Sequence, residues 1–251
     1  MSCTPRVAEL TEGVGDVSAQ GTARGAGAFW LATIATGAFA LSAQGGLVSG
    51  DPAATAATLM AHEASYRLGI AANLAAGACY IAATLLVYEL LRPVNKGVSL
   101  LAAFFSLVGC AVGALSGLFQ LAPLVVLGGA PYLRAFTTDQ LQALAFFFLR
   151  LNAQASTLGF LFFGLHCLLV GALVLRSALL PRLVGVLMTL AGLGWLTQCF
   201  ASLLSPPLGR ALAPYLLAPG VLGEGALSLW LLVVGVNARR WNELDERRTR
   251  R

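Results

Sequence analysis

Six long apolar runs, separated by short polar breaks, set the pattern of this chain. They fall at residues 26–43, 70–91, 98–127, 155–175, 183–204 and 215–236. Each is a continuous run of about twenty residues or more, the length a helix needs to cross a bilayer. A membrane β-barrel would show alternating runs of about ten, so that architecture is excluded. The pattern predicts an all-α, polytopic transmembrane bundle of six spans, occupying residues 26–238.

Two runs carry polar extensions. In GDPAATAATLMAHEASYRLGIAANLAAGACYIAATLLVYELLRPVNK, Asp51 is a helix N-cap and Pro52 suits the first helical position. No breaker follows before Arg92-Pro93, which predicts one helix over 52–91. At about 60 Å it is twice as long as the hydrocarbon is thick. Its first part holds Asp51, His62, Glu63 and Arg67, so that part extends beyond the outer membrane face. Thr137 and Gln140 form a capping box that opens a second long helix, 138–175, polar early and apolar later. Arg67-Leu68 and Arg150-Leu151 precede their spans, and Arg92 and Arg176 follow at similar distances. That echo fits either a parallel duplication or convergence on common membrane grammar.

The remaining segments are read by composition. Residues 1–25, with Glu9, Glu12 and Asp16, are predicted as a disordered cytoplasmic tail. Arg24 and the small residues Ala40-Leu41-Ser42-Ala43 mimic a signal peptide, but the acidic stretch in front argues against cleavage. The third span is expected to bend or end near Pro123, and its Gly109-xxx-Gly113-xxx-Gly117 stripe reads as a helix-packing device. A proline-rich loop (Pro206, Pro207, Pro214) precedes the sixth span, and residues 239–251 form a basic cytoplasmic tail with Trp241 at the interface.

Composition and charge sharpen this picture. The chain is 58% apolar and 11% charged, against about 25% charged in soluble domains. With the N-terminus inside, twelve of the sixteen Lys and Arg residues fall on the inner side, and Arg67, Arg134, Arg150 and Arg210 fall outside. This asymmetry predicts an N-in, C-in topology. The net charge of +5 forms no basic patch, so no nucleic-acid partner is expected. Arginine outnumbers lysine 15 to 1, and alanine and glycine are abundant, which reads as a GC-rich bacterial source. Five cysteines (Cys3, Cys79, Cys110, Cys167, Cys199) have no paired spacing, and two histidines stand apart, so no disulfide framework, metal site or cofactor is expected.

Four blocks carry a resemblance: GDPAATAATLMAHEASYRLGI, LVYELLRPVNKGVSLLAAFF, FFGLHCLLVGALVLRSALLPRLVGVLMTLAGLGWL and VLGEGALSLWLLVVGVNARRW. In this order they resemble the bacterial membrane family catalogued as domain of unknown function 4386, over roughly residues 25–241. The resemblance implies a multi-pass helical protein of the bacterial cytoplasmic (inner) membrane and supplies no catalytic residues.

Polar residues inside or beside the spans are the candidate chemistry. Asn73, Gln120, Gln154, Gln198 and Glu224 come from five spans and are expected in the outer third of the membrane, with Arg67 and Arg150 at the outer interface. An intramembrane carboxylate demands a partner, and the expected one for Glu224 is Arg67 or Arg150. Glu63 is placed to pair with Arg67, and Glu89 with Arg92. His166 reads as a neutral, hydrogen-bonded packing residue. No nucleophile elbow, metalloprotease helix or phosphate loop occurs. Three readings stand: a protein that binds, or binds and transports, a small polar or lipid-like ligand in an outward-facing polar pocket; a scaffold or accessory subunit binding protein partners through small-residue helix faces; and an intramembrane lipid-modifying enzyme.

Overall fold

A computed structural model describes residues 19–249. Among these residues there are helices and turns and no strand. The helices are α1 (Ala19–Gln44), α2 (Pro52–Ala61), α3 (Glu63–Leu91), α4 (Lys96–Leu127), α5 (Thr138–Ser177), α6 (Arg182–Leu204), α7 (Pro206–Val233) and α8 (Ala238–Thr249), with a short 3-10 turn at Pro131–Ala135. Six of them, α1 and α3 to α7, are long and apolar enough to cross a membrane.

Local signals set most helix starts. The Asp51 carboxylate accepts from Ala54 N–H at 2.7 Å, and Asn95 caps α4 by accepting from Val98 N–H at 3.0 Å. The Thr137–Gln140 capping box is formed in both directions. Other boundaries depart from expectation. The helix expected over 52–91 is broken at His62, whose backbone (φ −119°, ψ 30°) is not helical. The shorter α2 turns aside there and buries Thr55, Ala56 and Leu59 by packing on α5 and α4.

Tertiary contacts lengthen two spans. Residues 19–25, expected in a disordered tail, form the first turns of α1, while residues 1–18 lie outside the described residues. The Gln20 side chain donates to Val234 O at 2.7 Å and accepts from Val236 N–H at 3.1 Å, which ties this extension to the end of α7. The expected proline-rich loop is the start of α7, with Pro206 in the first turn, where a missing N–H is harmless. Pro123 neither ends nor interrupts α4, which runs on to Leu127. The tail expected after residue 238 is helical as α8, and Trp241 donates to Leu90 O at 3.1 Å.

Neighbouring helices close a ring in the order α1, α3, α4, α5, α6, α7 and back to α1. One end of the ring, here the tail end, gathers the 92–95 turn, the 178–181 turn and α8. An apolar cluster fills that end around Trp30, Val87, Val170, Met188 and Leu227. At the opposite end, beneath α2, a second cluster joins Leu47, Leu59, Tyr66, Ile70, Leu124 and Leu149.

Glycines divide the ring into a sealed side and an open side. A Cβ on Gly27 of α1 would meet Leu232 N of α7 at 2.5 Å, and one on Gly223 of α7 would meet Leu187 O of α6 at 2.5 Å. Gly164 and Gly192 do the same for α5 and α6, against each other's carbonyl oxygens. On α3 and α4, by contrast, Gly77 and Gly113 have nothing within 4 Å of such an atom. The Gly109-xxx-Gly113-xxx-Gly117 stripe is therefore not a uniform packing face: Gly109 takes the Phe163 ring, and Gly113 faces open space. Because overpacking against backbone costs about 1–3 kcal/mol or more, Gly27→Leu should sharply lower the melting temperature in detergent. Gly113→Leu should retain the fold, and equal losses from both variants would contradict this division.

Candidate functional site

The open space belongs to a cavity of about 740 Å³ enclosed by α1, α3, α4, α5, α6 and α7. That is the size range of ordinary ligand pockets. Its floor lies toward the tail end and holds Glu224 with Tyr80, Phe160, Phe163 and Trp195. Glu224 stands nine residues before the end of α7 at Val233, or about 14 Å along the helix.

Two indoles hold that carboxylate. Trp30 Nε1 of α1 donates to Glu224 Oε2 at 3.0 Å, and Trp195 Nε1 of α6 donates to Oε1 at 2.9 Å. The Cys167 thiol of α5 approaches Oε1 at 3.9 Å. Indole N–H groups only donate, so both oxygens act as acceptors and keep capacity for further partners. Four helices therefore converge on one side chain. Trp30 is locked by the rings around it, edge-on to Tyr80 at 5.2 Å and tilted against His166 at 5.8 Å. Trp195 stacks on Phe160 at 4.8 Å. His166 receives its own support from the Ala102 carbonyl, 2.9 Å from Nδ1, in keeping with its expected packing role.

Nearer the α2 end, neutral polar groups replace charge. Asn73 Nδ2 donates to Gln120 Oε1 at 3.4 Å, and Gln120 Nε2 reaches Gln44 Oε1. Tyr66 hydroxyl anchors the same stretch of α4 by donating to Gln120 O at 2.7 Å. Across the cavity, Asn152 Nδ2 donates to Ser116 Oγ at 2.8 Å, and Ser116 Oγ lies 2.8 Å from Ser156 Oγ. No Lys, Arg or His lines the cavity among the described residues.

Of the seven residues singled out from sequence, Glu224, Asn73 and Gln120 line the cavity. The other four do not line it. The expected pairing of Glu224 with an arginine is overturned: Arg67 pairs with Glu63 at 2.7 Å, and Arg150 lies over the Phe146 ring at 4.8 Å. Glu89 and Arg92 pair at 2.8 Å as their spacing predicts. Gln198 is buried at the α6–α7 corner, donating to Ser202 Oγ and Gly209 O. Gln154 is exposed on α5. Nor do the polar groups share one layer, because Glu224 sits well below the amides. Sequence reasoning missed Trp30 and Trp195, which look like ordinary apolar residues, and Gln44, Ser116, Asn152 and Ser156. The useful signal was an intramembrane acid, Glu224, with no cation at helical spacing, and two tryptophans on other spans.

Hydrogen bonds to a charged group contribute about 1.5–3 kcal/mol each. Trp30→Phe and Trp195→Phe should each destabilise the protein on that scale, measured by thermal unfolding in detergent. In a Glu224→Ala background each substitution should lose most of its effect. Additive losses in the double variants would show that the indoles matter for packing alone.

Similarity to known proteins agrees with this architecture. An uncharacterized protein from Archaeoglobus fulgidus is 29% identical over 154 residues, covering 59% of this chain and 72% of its own length. No solved structure matches the chain. The family model described as domain of unknown function (DUF4386) matches residues 25–235, from the first turns of α1 to the end of α7, and so takes in every helix around the cavity. With its six apolar helices and that match, the chain belongs to the DUF4386 family of multi-pass membrane proteins.

Proposed function

We propose that this protein binds a small amphiphilic molecule in the cavity. The observation that carries the proposal is the cavity itself: about 740 Å³ within a transmembrane bundle, with a carboxylate in its floor and no basic side chain among its lining residues. Polar groups inside a membrane are costly and default to a functional role. Here they bond across helices and at the same time line a common space. Gly77 and Gly113 add to this, since both leave room where bundles normally close.

Access to the cavity favours a ligand that partitions into lipid. Leu41, Leu74 and Ile81 line the cavity and are also 77%, 53% and 43% exposed, so the space reaches the apolar perimeter of the bundle. The α2 end is covered by the second apolar cluster. The Lys and Arg residues of the 92–96 and 176–182 segments and of α8 support, by the positive-inside rule, a cytoplasmic placement of both termini with α2 outside. The cavity then opens from the outer half, in keeping with a pocket for lipid-like or polar molecules arriving at the external leaflet. A cytoplasmic (inner) bacterial membrane is the matching location.

The scaffold reading loses its device, because the tightest glycines are consumed between helices of this same chain. The enzyme reading also lacks support. Cys167, the thiol beside Glu224, is fully buried, and no cluster of three metal-ligating side chains occurs among the described residues.

Native mass spectrometry of the protein in mild detergent should reveal a discrete adduct on wild type that is absent from Gly113→Leu. A folded Gly113→Leu variant carrying the same adduct, or no adduct on either protein, would refute the cavity as a binding site. For topology, a green fluorescent protein fused after Arg251 should be fluorescent, and a periplasmic phosphatase fused there should be inactive. The reverse result would invert the bundle.

A further inference from the structure

We infer that the ligand carries a cationic head, an amine or quaternary ammonium group, which docks on Glu224 within the aromatic floor. This inference rests on the cavity being a ligand site and assigns the chemical class of what enters it. A carboxylate placed this far inside a bundle loses most of its hydration, and donors or an opposite charge offset that loss. Two indole N–H groups and a thiol supply donors from the helix side. None brings a positive charge, and no ion pair among the described residues includes Glu224. No counter-charge comes from the described residues, and the carboxylate faces a space large enough to receive one.

The surrounding rings fit the same head group. Trp195, Phe160, Phe163 and Tyr80 all line the floor beside Glu224. Aromatic faces attract cations through the ring quadrupole, tryptophan most strongly, and the attraction grows when water is excluded. An anionic ligand would meet a like charge and electron-rich rings, and would find no basic residue. A neutral ligand would leave the carboxylate without its counter-charge. Tyr80 adds an independent sign of an absent partner. It is 6% exposed and lines the cavity, yet its hydroxyl has no hydrogen-bond partner. A protonated amine would give that oxygen a donor, and an ammonium methyl group would pack against its ring.

Beyond the floor, the cavity prescribes the rest of the molecule. Its walls between floor and amides are Gly77, Gly113, Ala114 and Gly117, which accept an apolar body without offering hydrogen bonds. The Asn73–Gln120 and Ser116–Asn152 groups then suit a neutral polar terminus. The occupant is a cation-headed amphiphile with its charge pointed toward the tail end.

Three probes of equal chain length test this: octyltrimethylammonium, octanol and octanoate, titrated in maltoside micelles and followed by the fluorescence of Trp30 and Trp195. Wild type should bind the ammonium at least tenfold more tightly than octanol, and octanoate most weakly. Glu224→Gln should abolish the preference for the ammonium over octanol, and Gly113→Leu should weaken all three. Equal affinities for ammonium and octanol on wild type, with both lost in Gly113→Leu, would overturn the cationic head and leave the cavity reading standing. No saturable binding of any probe, or binding indifferent to Gly113→Leu, would overturn both. If Glu224→Gln does not fold, the wild-type ranking and Gly113→Leu still decide between these outcomes.

Discussion

A carboxylate within an apolar bundle is the constraint around which this structure is arranged. Glu224 belongs to α7, but its oxygens are held by Trp30 of α1 and Trp195 of α6, with Cys167 of α5 against one of them. Three consecutive helices, α5 to α7, and the distant α1 must therefore arrive at one depth and one side of the ring. Aromatic packing completes the arrangement, because Trp30 is fixed by Tyr80 and His166, and Trp195 by Phe160. The polar bonds give direction to an apolar core that by itself has none.

The glycine pattern shows how such a core coexists with a cavity. On the α5–α6–α7–α1 arc, helices approach until a Cβ on Gly164, Gly192, Gly223 or Gly27 would collide with backbone. Close approach there supplies the dispersion contacts that hold helices together in lipid, where burial from water offers no drive. The α3–α4 side uses the same residue type for the opposite purpose. Gly77 and Gly113 leave volume unfilled, and Tyr66, Asn73 and Gln120 keep the two helices joined at the α2 end. Rigid on one arc and spacious on the other, the ring can hold a void without collapsing.

Polar groups in the cavity are graded along its axis. Charge sits deep, among aromatic rings, and neutral amides and hydroxyls lie nearer α2. The amides and hydroxyls bond to one another across helices and still line the cavity, which separates them from structural bonds buried away from it. Gln198 illustrates the structural case: its amide ties the α6–α7 corner and faces no cavity. Glu224 illustrates the other, with donors on one side and open volume on the other.

Membrane class, the number of spans and the capped starts at Asp51 and Thr137 were legible in the residues, because they depend on run length and on local hydrogen bonds. Pairs at helical spacing, Glu63 with Arg67 and Glu89 with Arg92, were legible for the same reason. Where a boundary depended on distant contacts, local reading failed: Gln20 extends α1 by bonding the end of α7, and α2 turns aside at His62 to pack on α5 and α4. The site failed to show for the same cause. Nothing local marks Trp30 and Trp195 as partners of Glu224, and a stripe of small residues reads alike whether it meets a helix or a void. Composition by itself determined that this protein is a bundle of membrane helices. Only the tertiary structure decided which helices touch, where they stand apart, and that the buried charge faces a cavity instead of an arginine, because those outcomes depend on the relative depth and rotation of helices that no short stretch of chain encodes.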